Sequence, residues 1–455
     1  MKKDIFEKLS VPRAVFHLAI PTMLGMLFTV IYNLADGYFI GQTGDSLKIA
    51  AVTLSNSLFF FIMALANFFG LGGASVISRL LGQKKIKQAK VVSSFCFYSA
   101  FAVSLISSVF FLFFMNDILL LLGATPEVYP FAKEYYQVMS IGAFSVMLQL
   151  VMGQILRSEG AAKEAMIGMI FGTVVNIILD PIMILSLNWG CYGAAFATVI
   201  GNISSMGVYA YFFLSKKTVL TISPRYFIFS KRILKKVSEM GVPPFFNTLL
   251  FSLGTMLQIK LSADYGAIQI ALVGIVNRIL SVPILLMIGF TNGIQPLIGY
   301  TYSAKLLKRM SKALRFTMTI GTVFGTLCFA VLFLYAKYFI GFFILDESSI
   351  SLGVEYLRIL VLPFPIISFV FVFTVFFQSI GKAKPAIILS ILRQGLIYIP
   401  ALFILKSFFG MKGLVMAMPY ADMATIIISA VLYFSIRRDL KVERLDIKIP
   451  RNLRV

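Results

Sequence analysis

The sequence predicts an all-α integral membrane protein: twelve transmembrane helices arranged as two pseudo-symmetric six-helix bundles. Three observations carry that reading: an apolar composition, basic residues concentrated in alternate loops, and a self-similarity at an offset of about 221 residues. Hydrophobic residues are 59% of the 455 and charged ones 13%, against roughly 25% charge in soluble domains. Mean hydropathy is +0.90. A water-soluble fold is excluded on these figures.

The apolar residues run in windows of twenty or more without Asp, Glu, Lys or Arg, as in 49–78, 91–116 and 135–156. That is what a hydrocarbon core of ~30 Å asks of a spanning helix. Lipid offers no partner for backbone polar groups, and unalternating runs point to helices and not to a barrel. Charged punctuation then divides the chain into spans at 14–38, 49–78, 91–115, 135–156, 165–187, 190–214, 240–262, 268–300, 315–336, 354–377, 385–405 and 412–436.

Loop charge tests the count, because Lys and Arg accumulate on the cytoplasmic side. With the N-terminus inside, 32 of the 41 Lys and Arg fall in inside segments and six outside: Lys48, Lys133, Lys260, Lys337, Lys406 and Lys412. Arg278, Arg358 and Arg393 lie within or at the edge of spans. A missed or invented helix scrambles this alternation, so both termini are expected to be cytoplasmic. Lys2, Lys3, Lys8 and Arg13 precede a long apolar segment with no small-residue cleavage site close behind, which reads as a retained first span.

The repeat shows in three places. Arg157–Ala165 and Gln378–Ala386 share five of nine residues at an offset of 221, Trp189–Asn202 and Phe409–Asp422 share G-x-x-G-x-x-x-A at 220, and Ile20-Pro21 pairs with Val242-Pro243 at 222. The domain reading follows: an N-lobe at 1–215, a basic cytoplasmic linker at 216–238, a C-lobe at 239–436 and a basic cytoplasmic tail at 437–455. Six spans return the chain to its starting side, so the lobes run parallel. That is a build of alternating-access transporters, with the substrate path between the lobes.

Several chemistries are absent. The net charge of +22 belongs to loops, with no soluble basic surface for nucleic acid. Cys96, Cys191 and Cys328 are scattered through apolar stretches without disulfide or zinc spacing, and there is no phosphate-binding P-loop motif. Gly70-Leu-Gly-Gly73 reads as close helix packing. The only histidine, His17, sits at the cytoplasmic mouth of the first helix and reads as interfacial.

Ionisable side chains inside a span are costly and mark function by default. Span 1 carries Thr22, Met26, Thr29, Asn33 and Asp36 at helical spacing, span 5 carries Met169, Thr173, Asn176 and Asp180, and span 6 carries Thr198 and Asn202. Counting ~1.5 Å per residue from the span ends, Asp180 lies roughly 22 Å along span 5 and Thr198 roughly 12 Å down span 6. Asp36, Asn176, Asp180 and Thr198 can therefore meet at one level. Two carboxylates, an amide oxygen and a hydroxyl suffice to ligate Na+; alternatively, a carboxylate takes up H+. The competing reading is that Asp36 and Asp180 cap helix ends, and that Met26 and Met169 only pack. The second half offers Gln258 at the counterpart of Asp36, and Arg278, Arg393 and Asp422 instead of the carboxylate pair. These are expected to pair or snorkel in a structural or gating role.

Ala19-Ile-Pro21 with Asp36, Ser78-Arg-Leu-Leu-Gly82, Arg157-Ser-Glu-Gly160, Asn176-Ile-Ile-Leu-Asp180-Pro181 and Gln378-Ser-Ile-Gly381 together resemble the MATE (multidrug and toxin extrusion) transporters of the MOP superfamily. Within that family the chain looks like the DinF branch and its MepA-type exporters. The resemblance covers nearly the whole chain and implies a coupling-cation site at Asp36, Asn176, Asp180 and Thr198. It implies no catalysis and no cofactor, only a coupling ion, H+ or Na+. A second-half cation site, as in the NorM branch, lacks its carboxylates here.

The expected function is secondary active multidrug efflux, with lipophilic or cationic small molecules exchanged for H+ or Na+ by rocking of two lobes. Met26, Thr29, Asn33, Met169, Thr173 and Asn202 are expected to line the cavity, and Pro21 to act as a hinge in span 1. The expected setting is the cytoplasmic (inner) membrane of a prokaryote, as a monomer in contact with membrane lipid. Two alternatives are a lipid-linked precursor flippase of the same superfamily and a membrane-embedded enzyme or receptor. The first often carries further helices or a cationic cavity, the second a catalytic constellation or large extramembrane domain, and neither feature is seen.

Overall fold

In the computed structural model, residues 3–215, 217–344 and 346–446 are described, side chains being described from 4 to 436 within these, and they are helical with short connections. Spans 1 to 3 are Val11–Gly41, Ser46–Gly82 and Ile86–Phe113. Span 4 is the bent pair Tyr129–Ile141 and Ala143–Ser158, span 5 is Ala162–Ser186 and span 6 is Gly190–Leu214. Spans 7 to 9 are Lys231–Ser262, Ala267–Ser303 and Leu307–Leu334, and span 10 is the bent pair Glu347–Val361 and Phe364–Ile380.

The remaining stretch, Ala383–Ile436, is one apolar run of 54 residues. An unbroken helix of that size is ~80 Å long, far beyond a ~30 Å core. The break is at Gly410, whose φ of 58° and ψ of −134° leave the helical region. A Cβ on Gly413 would fall 1.9 Å from the Leu405 carbonyl oxygen, whereas residues eight apart in one helix are ~12 Å apart. The chain therefore reverses there, and the run is spans 11 and 12.

The helices outrun their apolar windows. Span 2 covers 46–82 and not 49–78, and span 7 begins at Lys231, so residues 231–238 of the expected linker are already its first turns. Charged residues were read as punctuation, but Lys and Arg continue a helix beyond the hydrocarbon and extend toward water. The expected tail is helical to Asp446, and its residues 447–455 lie outside the described residues.

The repeat extends to features that hydropathy does not show. Span 4 bends by 49° at Gly142, and span 10 by 46° just before Pro363 and Phe364. Pro363 and Pro365 have no N–H to donate and their rings crowd the preceding turn, which accounts for the second bend. At the first, a Cβ on Gly142 would fall 2.2 Å from Val199, so glycine lets span 4 lie against span 6. Spans 5 and 11 each contain a π-helical turn, Pro181–Ser186 and Leu392–Ile397, but these lie about ten residues out of register with the repeat.

The two bundles meet tightly at the end that carries the basic loops. Spans 2 and 7 touch through backbone: a Cβ on Gly72 would lie 2.8 Å from Gly241 Cα and from the Val237 oxygen, and one on Gly241 would lie 2.2 Å from the Phe68 oxygen. Gly293 of span 8 packs on Ala19 and Gly289 on Met23 of span 1 in the same way. Without a hydrophobic drive between helices in lipid, small residues that admit close approach hold them together. Ser75 donates to the Gln378 carbonyl at 2.5 Å, Asn67 donates to Thr248 at 3.1 Å, and Phe60, Phe61 and Phe68 pack edge-on against Phe251 and Phe245.

Two straps cross this end. In the first, Phe6 of the short helix Lys3–Glu7 stacks on Tyr300 at 4.7 Å and rests against Gly160. Tyr300 donates to Glu7 at 2.6 Å, and Arg309 donates to the carbonyls of Ile5 and Leu9. In the second, the buried Glu159 between spans 4 and 5 accepts the backbone N–H groups of Val219 and Leu220 at 2.9 and 3.2 Å. Ser93 and Ser94 donate to the Thr221 carbonyl, and Phe227 and Phe229 pack on Phe95. Burial pushes the Glu159 carboxyl up to about 7, against the pull of the two amide hydrogen bonds.

Two expectations follow. Gly72→Val drives spans 2 and 7 apart and should cost about 1–3 kcal/mol, seen as an earlier thermal transition in detergent; an unchanged transition would show a looser seam. For Glu159, a folded value of about 7 above the ordinary 4.5 makes its stabilising contribution complete below the lower figure and lost as pH rises through the upper. Glu159→Gln should therefore flatten the decline in melting temperature over that interval, and parallel wild-type and variant curves would contradict this account.

Candidate functional site

Span 5 builds the first part of the candidate site. Asn176 and Asp180 lie one turn apart on it, and the Asn176 amide donates to Asp180 Oδ1 at 3.3 Å. With the amide turned about, its nitrogen donates to Asp180 Oδ2 at 3.3 Å and its oxygen accepts the Thr198 backbone N–H at 3.1 Å. This orientation gives both ends of the amide a partner, and it ties span 5 to span 6. Glycine makes the approach possible, since a Cβ on Gly201 would fall 2.9 Å from Asn176 Cβ.

Span 1 closes the group. Thr198 gives its hydroxyl proton to the Ala194 carbonyl at 3.0 Å, so at 3.2 Å it is the Tyr32 hydroxyl that donates to Thr198. Asp36 stands one turn beyond Tyr32 on the same face. Its Oδ1 is buried and has no hydrogen-bond partner. Asp180 senses the charge of Asp36, and Tyr32 and Tyr135 sense both. Among the described residues neither carboxylate has an ion-pair partner.

Asp180 is fully buried, and Asn176 and Thr198 nearly so. An unpaired buried acceptor costs about 1–3 kcal/mol, and more when charged. The donors are all oxygen, which suits a hard cation such as Na+, and a proton on one carboxyl would equally remove the charge. Among the described residues there is no cluster of three His, Cys, Asp or Glu of the kind that holds a transition metal.

Other residues expected on sequence grounds separate into groups. Thr29 donates to Met169 Sδ at 3.8 Å as well as to the Gly25 carbonyl, and Gly25 packs directly on Met169. Met26 instead packs on Gly289 of span 8, in the seam. Thr22 donates to its own helix at Leu18. Asn33 is exposed, Thr173 and Asn202 are half-buried, and no hydrogen bond joins these three to the site. Pro21 lies inside the continuous helix Val11–Gly41. The cysteines are free, and Cys96 fills the space beside Gly73. Tyr32 and Tyr135 were not foreseen. Tyr32 lies four residues before Asp36, a spacing that marked the other members.

Comparison with known proteins adds to this geometry. The MatE family model matches residues 21–182 and 243–404. The two segments begin 222 residues apart, the offset at which the proline pair repeats. The chain is 33% identical to the Multidrug export protein MepA of Staphylococcus saprophyticus, over 97% of this chain and 98% of that protein. A multidrug resistance MATE family transporter of the MOP superfamily, solved in an outward-facing conformation, is similar with a TM-score of 0.89 at 26% identity, covering 95% of this chain and 97% of that one. A MATE structure in a straight conformation gives 0.90 at 26% identity, with 96% and 98% covered.

Binding of a cation to the folded form stabilises by about 2.7 kcal/mol at a hundredfold excess over Kd. Wild-type protein in detergent should therefore melt later as Na+ or H+ is raised, whichever ion the site takes. Asp180→Asn should remove the Na+ response, or reduce the H+ response to the part that Glu159 contributes, without lowering the melting temperature when the ion is withheld. A variant that still responds in full would take Asp180 out of the site.

Proposed function

Since the chain belongs to the MATE family of multidrug efflux transporters, we propose that it exports lipophilic and cationic small molecules across the cytoplasmic membrane in exchange for H+ or Na+. The observation that carries this reading is the buried Asp180 carboxylate beside the half-buried Asp36, whose Oδ1 is buried and unpartnered, with no counter-cation among the described residues. A low-dielectric site with uncompensated negative charge takes a cation or a proton from solution. The Asn176 and Thr198 oxygens complete an oxygen-lined cradle for it.

The closed seam at the basic end supports reading the conformation as outward-facing, with the termini cytoplasmic. In the inward-facing state the N-lobe (1–215) and C-lobe (239–436) would part at that end, and the linker (216–238) would accommodate the motion. A cationic substrate is drawn to the anionic N-lobe. Occupation of Asp36 and Asp180 by the coupling ion removes that attraction and favours release outside. Because coupling is reciprocal, the substrate weakens ion binding by the same factor. Thr29, Asn33, Met169, Thr173 and Asn202 are assigned to the cavity wall, which Met26 joins when its contact with Gly289 opens, and bending of span 1 at Pro21 to the response to ion binding. The transporter works as a monomer within lipid.

Proteoliposomes carrying an imposed pH or Na+ gradient should take up a fluorescent cationic dye, and the gradient that drives uptake identifies the ion. Asp36→Asn and Asp180→Asn should each reduce gradient-driven uptake to that of protein-free vesicles while the protein remains folded. Absence of gradient-driven uptake by the wild type with a panel of dyes would overturn the antiport reading.

A further inference from the structure

The second bundle contains a buried carboxylate too, and it is neutralised differently. Asp422 in span 12 is 3% exposed, and Arg393 in the π-helical turn of span 11 is 5% exposed. Arg393 Nε donates to Asp422 Oδ1 at 2.7 Å, and the guanidinium lies 4.7 Å from the centre of the Phe371 ring in span 10. At the repeat offset of 220 residues these two positions correspond to Thr173 and Asn202 of the first bundle, which are neutral. Asp422 thus sits one turn from the counterpart of Thr198.

The surroundings leave the guanidinium as the partner of that carboxylate. Arg393 is the charged group that faces Asp422, and Tyr398 is its titratable neighbour. Gln258, at the counterpart of Asp36, donates to the Leu414 carbonyl and accepts from Asn277. The acceptor oxygen of the buried Gln394, beside Arg393, has no hydrogen-bond partner. Each bundle therefore buries negative charge, but among the described residues only the second supplies its own counter-charge. A guanidinium does not deprotonate in a protein and cannot leave the chain.

We propose that Arg393 is a tethered counter-cation, which fills in the second bundle the role that an exchangeable ion fills in the first and so restricts the coupling ions to the first-bundle site. This rests on the reading of Asp36 and Asp180 given above. Removing the tether should create a second cation site, at Asp422.

The test is thermal unfolding of purified protein in detergent as Na+ or H+ is raised. Arg393→Gln should gain a cation-dependent rise in melting temperature beyond that of the wild type, and adding Asp422→Asn should erase the gain. Combined with Asp180→Asn, Arg393→Gln should restore a cation response to a protein that had lost it. A folded Arg393→Gln protein with no added response overturns the proposal. If the wild type shows no cation response but Arg393→Gln gains one through Asp422, the first-bundle reading fails and the tether stands. Should Arg393→Gln not fold, the apolar double replacement Arg393→Met with Asp422→Leu decides. Dye uptake with the wild-type number of ions per dye supports the tether, and a changed number, or a double variant that does not fold, overturns it. Arg393→Lys keeps a tethered cation and should retain the wild-type cation response.

Discussion

Hydrocarbon offers a polar group neither a hydrogen bond nor a counter-ion, and the architecture of this chain follows from that refusal. Backbone amides and carbonyls pair within each segment, which gives helices. Side-chain hydroxyls turn back to their own helix, as Thr22, Ser55, Thr291 and Thr317 do. Helices meet where glycine lets backbone touch backbone, and buried Arg393 is neutralised by Asp422. In such a setting two carboxylates without a cationic partner among the described residues stand out, and the proposed ion site rests on them.

The first and last six helices share a bend at matching positions, Gly142 and Pro363, so the repeat is one of backbone shape as well as of residues. Their polar interiors diverge. The first bundle joins three helices through Tyr32, Thr198, Asn176 and Asp180; the second joins span 11 to span 12 through one ion pair. A shared scaffold with unequal charge suits a division in which one lobe responds to the coupling ion and the other completes the path.

Much of this was legible in the residues. Hydropathy and loop charge report the environment of each segment directly, and for that reason the twelve spans and the repeat stand. Asp36, Asn176, Asp180 and Thr198 were legible because helical spacing and depth along the spans are simple geometry, and the structure groups Asn176, Asp180 and Thr198 with Asp36 adjacent. The bend at Gly142 was not, because it depends on Val199, fifty-seven residues away in sequence. Tyr32 was passed over because a tyrosine in an apolar run looks like packing until its hydroxyl is placed against Thr198. Arg393 and Asp422 were noted, but pairing across two spans depends on which faces of spans 11 and 12 meet. The extra turns of span 7 were missed because charge was taken as a stop, although it is water and not helix that charge requires.

The strap at Lys3–Glu7 has a consequence for how the molecule is made. Residues 5 to 9 emerge from the ribosome long before the partners that seat them, for Tyr300 follows Glu7 by 293 residues and Arg309 follows Ile5 by 304. At about 5–20 residues per second the wait is roughly 15–60 s. During that time the first bundle can insert and pack while its basic end stays unfastened. The strap can close only once Tyr300 and Arg309, at the end of span 8 and the start of span 9, have been made, so it fastens the first bundle to a second bundle that is still being completed.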